Sequence, residues 1–232
     1  MKIGNPIAFF DVDKTLCDCY SGFYTVVELI KRKVIRKRRL VKAVFYNTIG
    51  KFYEGNVRKM YEVTLGDMAG MELREAMSIG LEIFEAKVKP TLYLEGIEEI
   101  KRLKKDGYTV ALLSSGPGML VENMGIFLGV DISFSNRPVV INGIMQKEIQ
   151  EPLCYHTGKV EVARVFAQNQ HVSLADCRFY SDSSSDLPML QSVGHPIAVN
   201  PDFTLTRVAK REGWPVLYFK NTLETSLRFE AK

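Results

Sequence analysis

Long apolar runs are missing from these 232 residues. No stretch approaches the roughly 20 apolar residues that cross a bilayer. Nor does a basic start lead into an apolar run of the secretory type. Cysteine is scarce as well. Cys17, Cys19, Cys154 and Cys177 lack zinc-ligand spacing, and Cys17-x-Cys19 is not the C-x-x-C of a redox or metal motif. They read as free thiols of a reducing cytoplasm. There are no internal repeats and no low-complexity tracts, which leaves an ordinary globular chain, 46% hydrophobic and 25% charged.

Acid is absent from one segment. Lys31, Arg32, Lys33, Arg36, Lys37, Arg38, Arg39 and Lys42 follow one another with no carboxylate among them. Setting those eight aside leaves 23 basic against 27 acidic residues, so the formal charge of +4 belongs to this segment alone. Aromatic residues are missing from the run too, which argues against nucleic-acid recognition. A solvated helix face is the commonest meaning of such a run, with an anionic membrane surface as the alternative.

The chain is organised around residues 7–16, IAFFDVDKTL. Ile7 to Phe10 is a short apolar run suited to one buried strand. Asp11 and Asp13 follow two apart, so in extended backbone both carboxylates leave the same face of the strand's end. Burying two like charges so close is costly unless a cation or proton intervenes. From Cys19 to Lys87 the period changes to helical, with Val26, Leu29, Ile30 and Val34 on one stripe, then Val41, Val44, Phe45, Thr48, Ile49 and Phe52, then Leu73, Ala76, Ile79 and Ile83. Three or four helices are expected there. After Pro90 come an amphipathic helix over residues 95–106 and an apolar strand over 108–113. That strand ends in Ser114-Ser115-Gly116-Pro117, with a helix from Gly118 to about Gly129. A third strand over 131–134 and a hairpin across Asn142-Gly143 follow. Lys159 opens a helix over 159–168. A strand over 177–181 feeds Ser181-Asp182-Ser183-Ser184-Ser185-Asp186, and short strands follow near residues 194–199 and 213–217. His195, beside Pro196, is read as structural.

Two carboxylates four apart in a Ser-rich loop after a strand suit Mg²⁺, which takes hard oxygen ligands and keeps several waters. A Ser at a strand end before a helix makes a corner where free amides favour phosphate. A Lys at a helix start earns an inward position only where anions await it.

These four stretches, in this order, resemble the signature of the haloacid dehalogenase superfamily: D-x-D-x-T at Asp11, Asp13 and Thr15, a strand ending in Ser114 or its neighbour Ser115, Lys159, and S-D-x-x-x-D at Asp182 and Asp186. The likeness is to the subfamily IB hydrolases, the phosphoserine-phosphatase-like group. The segment Phe134-Ser135-Asn136-Arg137 is similar to that group too, with no role given to Asn136 or Arg137. The resemblance implies an α/β fold, a doubly wound parallel sheet formed by residues 1–16 and 91–232, with an inserted helical C1-type cap over 17–90. It implies a Mg²⁺-dependent phosphatase acting on a small phosphate monoester through an aspartyl phosphate. Asp11 would be the nucleophile and Asp13 the general acid and base. Thr15, Ser114, Ser115 and Lys159 would bind phosphate. Asp11, the carbonyl of Asp13, Asp182 and Asp186 would meet the metal, with direct contact from Asp186 left open. The expected location is cytoplasmic, with no nucleic-acid partner.

Phosphoserine-cleaving members carry a Glu and an Arg in the cap where Tyr20 and Met60 match best here, and both changes remove charges that would pair with an amino acid. Two other functions remain on the page: a phosphatase for phospholipid monoesters that brings its basic cap to a membrane, and a non-enzymatic binder of anionic surfaces. The second is disfavoured because no motif residue is missing.

Overall fold

A computed structural model describes residues 4–36 and 54–230 of the chain. Strand β1 (Ile7–Phe10) has all four side chains buried, as a two-faced central strand must. Ile7 and Phe9 enter one apolar cluster, Ala8 and Phe10 the other, so alternation along the strand serves both faces. Around it pair β2 (Thr109–Pro117), β3 (Ile132–Asn136), β6 (Arg178–Ser181), β7 (His195–Val199) and β8 (Val216–Leu217). The order is β3-β2-β1-β6-β7-β8 and every pairing is parallel, the doubly wound sheet expected. The order reverses between β1 and β6, where such sheets open a crevice beyond their carboxyl ends.

Ile100 and Leu103 of the helix Leu94–Lys105 cover one face; Ala163 and Ala167 of the helix Thr157–Asn169, with Leu205 and Ala209 of Phe203–Glu212, cover the other. Tyr180 stacks on Phe10 with ring centroids 4.1 Å apart and donates from its hydroxyl to Glu99. The helix Gly118–Leu128 stops on Gly129, whose φ of +65° is the left-handed end that glycine adopts readily. Strand β2 runs four residues beyond the expected Leu113, because its register to β3 shifts after Leu113 and pairs again at Pro117. All four cysteines are free thiols.

Between β1 and the helix at Leu94 the described insertion holds α1 (Ser21–Lys31), α2 (Glu54–Met68) and α3 (Leu73–Ile83). The stripe proposed for Val41 to Phe52 lies outside the described residues, as do Lys37, Arg38, Arg39 and Lys42 of the basic run. Asn142-Gly143 turns the hairpin of β4 (Pro138–Ile141) and β5 (Ile144–Ile149) with φ of 50° and 81°. The hairpin stands apart from the large sheet and joins the insertion: Gly70 N–H donates to the Met145 carbonyl, Met145 N–H to Met71 and Leu73 N–H to Gly143. A layer over the carboxyl end of the sheet is thus built from two separate stretches of chain.

Candidate active site

Four strand ends and one helix start meet at the crevice. Past β1 the chain folds tightly over itself, with the Val12 carbonyl accepting from the amides of Thr15, Leu16 and Cys17 and with Lys14 at φ 61°. The turn holds Asp11 and Asp13 at the strand's end. Asp11 N–H donates to the carbonyl of Tyr180 in β6, so the loop bearing Asp182 is fixed against the loop bearing Asp11.

Thr15 ties the same two loops. Its hydroxyl lies 3.1 Å from Asp182 Oδ1 and 3.4 Å from Asp11 Oδ2, and it accepts from the Asp182 amide at 2.9 Å. The residue is wholly buried beneath the carboxylates. Lys159 comes from the opposite side, on the first turn of the helix Thr157–Asn169. Gly158 lets that turn approach closely, since a Cβ there would stand 1.9 Å from the Leu153 carbonyl oxygen. Lys159 Nζ donates at 2.7 Å to Asp11 Oδ1 and at 2.7 Å to Asp186 Oδ2. Ser181 Oγ donates to the same Asp186 oxygen. The sequence position alone favours a solvated Lys; at 2% exposure this one is not.

The electrostatics follow from that crowding. Burial raises Asp11 most, Lys159 opposes it, and Asp186 and Asp13 add to the rise, leaving it at about 7. Burial, Asp11 and Asp186 push Asp182 up to about 8. Asp13 is raised too, by burial first, with the hydroxyl and amide of Ser21 and the amide of Gly22 opposing. Burial alone would lower Lys159, but Asp11 and Asp186 outweigh it and hold the ammonium charged. One buried ammonium thus faces a cluster of carboxyl groups, and negative charge is left over.

That surplus is the test of whether a cation fits. Among the described residues no three His, Cys, Asp or Glu side chains close around a point in space. Mg²⁺ asks for less, since it is usually held by one or two carboxylates with waters and substrate oxygens. Asp11 and Asp182 reach the same Thr15 hydroxyl, burial and then the Asp11 charge raise Asp182, and Asp13 Oδ1 is buried with no hydrogen-bond partner. Hard oxygen donors short of positive charge fit Mg²⁺. Asp186 directs one oxygen at Lys159 and Ser181.

Ser114 is 1% exposed within β2, directly after Leu113, where the register to β3 shifts, and its Oγ accepts from the Gly116 amide at 3.0 Å. Ser115 contributes through its backbone: its carbonyl accepts from the Tyr61 hydroxyl of α2 and from Asn136 Nδ2 at 3.0 Å. Asn136 Oδ1 in turn accepts from the Cys154 amide at 2.8 Å. Sequence reasoning assigned nothing to Tyr61, Ser21 or Asn136. Only Asn136 left a signal there, within the phrase noted after β3. Tyr20 is 62% exposed with Lys14 over its ring, and Met60 is partly buried and packs against the core from α2.

A profile for haloacid dehalogenase-like hydrolases matches residues 8–191. A probable phosphatase of Mycobacterium tuberculosis is 30% identical over 229 residues, covering 97% of this chain and 79% of its own. A phosphoserine phosphatase of the same organism is 27% identical over 218 residues, covering 92% and 70%. Among solved structures, a Bordetella pertussis protein of unknown function superimposes with a TM-score of 0.83 at 23% identity, covering 92% of this chain and 98% of its own. At that identity the likeness speaks for the fold.

Proposed function

Because the chain belongs to the haloacid dehalogenase-like hydrolase family, as a phosphatase of the phosphoserine-phosphatase-like kind, we propose that it hydrolyses a small phosphate monoester in two steps on Asp11. The observation that carries this reading is Lys159, buried and bridging Asp11 to Asp186, with Asp182 tied to Asp11 through Thr15. Three segments far apart in the chain, those of Asp11 and Thr15, of Lys159, and of Asp182 and Asp186, meet around one carboxylate.

In the first step an Asp11 oxygen attacks phosphorus in line, the bond from phosphorus to the leaving oxygen breaks, and Asp13 gives its proton to that oxygen. Burial raises Asp13, which suits an acid that must arrive protonated. In the second step water attacks the aspartyl phosphate, Asp13 takes its proton, and the bond from phosphorus to Asp11 breaks to release inorganic phosphate. Ser114 and Lys159 hold non-bridging oxygens. Thr15 acts by fixing the Asp11 and Asp182 loops to each other. Asp11, Asp182 and the backbone carbonyl of Asp13 would hold Mg²⁺, with Asp186 anchoring Lys159 beside them. When bound, Mg²⁺ supplies positive charge that lets an anionic phosphate approach anionic Asp11.

The described part of the basic run gives little support to a membrane-surface reading. Lys31 and Arg32 pair with Glu28, Arg32 also with Glu82, and Arg36 with Asp67. Among the described residues no helix is long and apolar enough to cross a membrane. The test of function is phosphate release from a panel of amino-acid, sugar, nucleotide and lipid monophosphates with and without Mg²⁺, using Asp11→Asn as the blank. Release by wild type that the blank lacks is the expected result. Equal release by both would remove Asp11 from the chemistry.

A further inference from the structure

Beyond Asp13 the insertion and the hairpin enclose a cavity of about 270 Å³. It begins where the proposed chemistry ends. Asp13 faces Ser21 at the start of α1, and Thr25, one turn on and bonded to the Ser21 carbonyl, lines the cavity. Tyr61, whose hydroxyl meets the Ser115 carbonyl, forms another wall, and Pro117 and Gly118, directly after the Ser114 loop, form the floor. Ser21 is wholly buried and faces Asp13, and the Asp13 carboxylate also acts on the Tyr61 hydroxyl in the cavity wall. A leaving group attached to a phosphorus atom held at Asp11 and released past Asp13 has this space before it.

The lining states what that group is. Met68, Met77, Met119 and Met145 supply much of the surface, and methionine fits irregular apolar shapes through its flexible thioether. Two charged residues border the cavity, Glu122 and Arg137, and they pair with each other at 3.0 Å; Arg137 also donates to the Ser133 carbonyl at 2.7 Å. A zwitterionic amino acid needs two unpaired partners of opposite sign, and this lining offers its two charges already neutralised. We propose that the cavity is a leaving-group subsite for an uncharged, mainly apolar alcohol, so that the substrates are monophosphates of alkyl or aryl alcohols. The proposal rests on the phosphatase reading above.

Two measurements keep the two claims separate. The first is thermal stabilisation of the protein with Mg²⁺ by methyl-, propyl-, pentyl- and heptylphosphonate, which needs no turnover. The second is kcat/KM for phosphate release from the matching alkyl monophosphates and from phosphoserine. Filling the cavity should raise kcat/KM by about two- to fourfold per added methylene, the range set by burial of one CH₂, and the gain should level off once the cavity is full. A continued gain for dodecyl phosphate on detergent micelles, with none along the short series, would replace the subsite by binding to a lipid surface and overturn the proposal. Met77→Glu should abolish the chain-length gain, and Met77→Leu should keep it. Melting curves check that both variants fold, as is expected at a position only partly buried. Turnover without chain-length dependence, or a preference for phosphoserine, overturns the subsite and leaves the phosphatase standing. Stabilisation that grows with chain length and is lost in Met77→Glu, without turnover of any ester, sustains the subsite and overturns the phosphatase.

Discussion

Lys159 and Asp11 meet at 2.7 Å with 2% and 10% of their side chains exposed, 148 residues apart in the chain. The same ammonium reaches Asp186 at 2.7 Å. Breaking a buried ion pair by removing one partner costs about 3–5 kcal/mol, because the remaining charge is stranded. Lys159→Met strands two carboxylates. We expect the metal-free variant to lose stability of that order in urea unfolding, and phosphate release to fall with it. Added Mg²⁺ should recover part of the stability, since the proposed metal site would bring a second cation to the same cluster. Unfolding curves equal to wild type without Mg²⁺ would remove the ion pair from the account.

Asp11→Asn keeps the size of the side chain and removes the proposed nucleophile, so turnover should vanish while melting without Mg²⁺ stays near wild type or rises. Relief of repulsion with Asp182 and Asp186 favours the rise. Asp13→Asn should lose roughly 10²–10⁴-fold in kcat, the usual share of general acid–base catalysis. An ester with a good leaving group, such as p-nitrophenyl phosphate, should suffer less in its first step than an alkyl ester. Equal losses for both esters would count against Asp13 as the acid.

The parts of this site that could be read from the sequence are those whose chemistry sits in neighbouring residues. Asp11 with Asp13, and Asp182 with Asp186, announce themselves because paired carboxylates at strand ends have few structural reasons to exist. The parallel sheet was legible for the same local reason, from apolar runs at residues 7–10 and 108–113 followed by turn residues. Lys159 was legible only through its place in an ordered set, since a Lys at a helix start looks solvated until packing shows otherwise. Tyr61 and Asn136 could not be assigned. Their partner, the Ser115 carbonyl, lies 54 and 21 residues away, and a backbone acceptor leaves no mark in a sequence. The hairpin was found from Asn142-Gly143, yet its docking on residues 70–73 depends on backbone bonds that no side-chain pattern encodes.

Asn136 holds two backbone groups at once, the Ser115 carbonyl and the Cys154 amide, and is 3% exposed. Asn136→Ala leaves a buried donor without its partner, at about 1–3 kcal/mol. Because Ser115 adjoins Ser114, proposed above to hold a phosphate oxygen, KM for phosphate esters should rise as well. Asn136→Asp can still accept from Cys154 but cannot donate to Ser115, so it should restore only part of the loss. Full activity and stability in Asn136→Ala would make the contact incidental.

The response to pH follows from the sign of the carboxylate shifts. Burial first, and then neighbouring carboxylates, raise Asp11 to about 7 and Asp182 to about 8 from an ordinary value of 3.8, with Lys159 holding Asp11 back. A folded-state acid raised above its unfolded value keeps a proton that the unfolded chain has already released. Its contribution to stability is therefore fully present below about pH 4 and is lost as pH rises through about 7 to 8. Without divalent cations, the contribution of these two groups should make the protein melt at progressively lower temperature across that span. Mg²⁺ held as proposed would compete with those protons for the same oxygens, so its binding should release protons and strengthen as pH rises. The increase in melting temperature produced by a fixed Mg²⁺ concentration should accordingly be small near pH 5 and large near pH 8. Asp182→Asn should flatten that dependence, because it removes one of the two raised groups together with a donor. A Mg²⁺-induced shift independent of pH in wild type would mean that these carboxyls are not the ones that hold the metal.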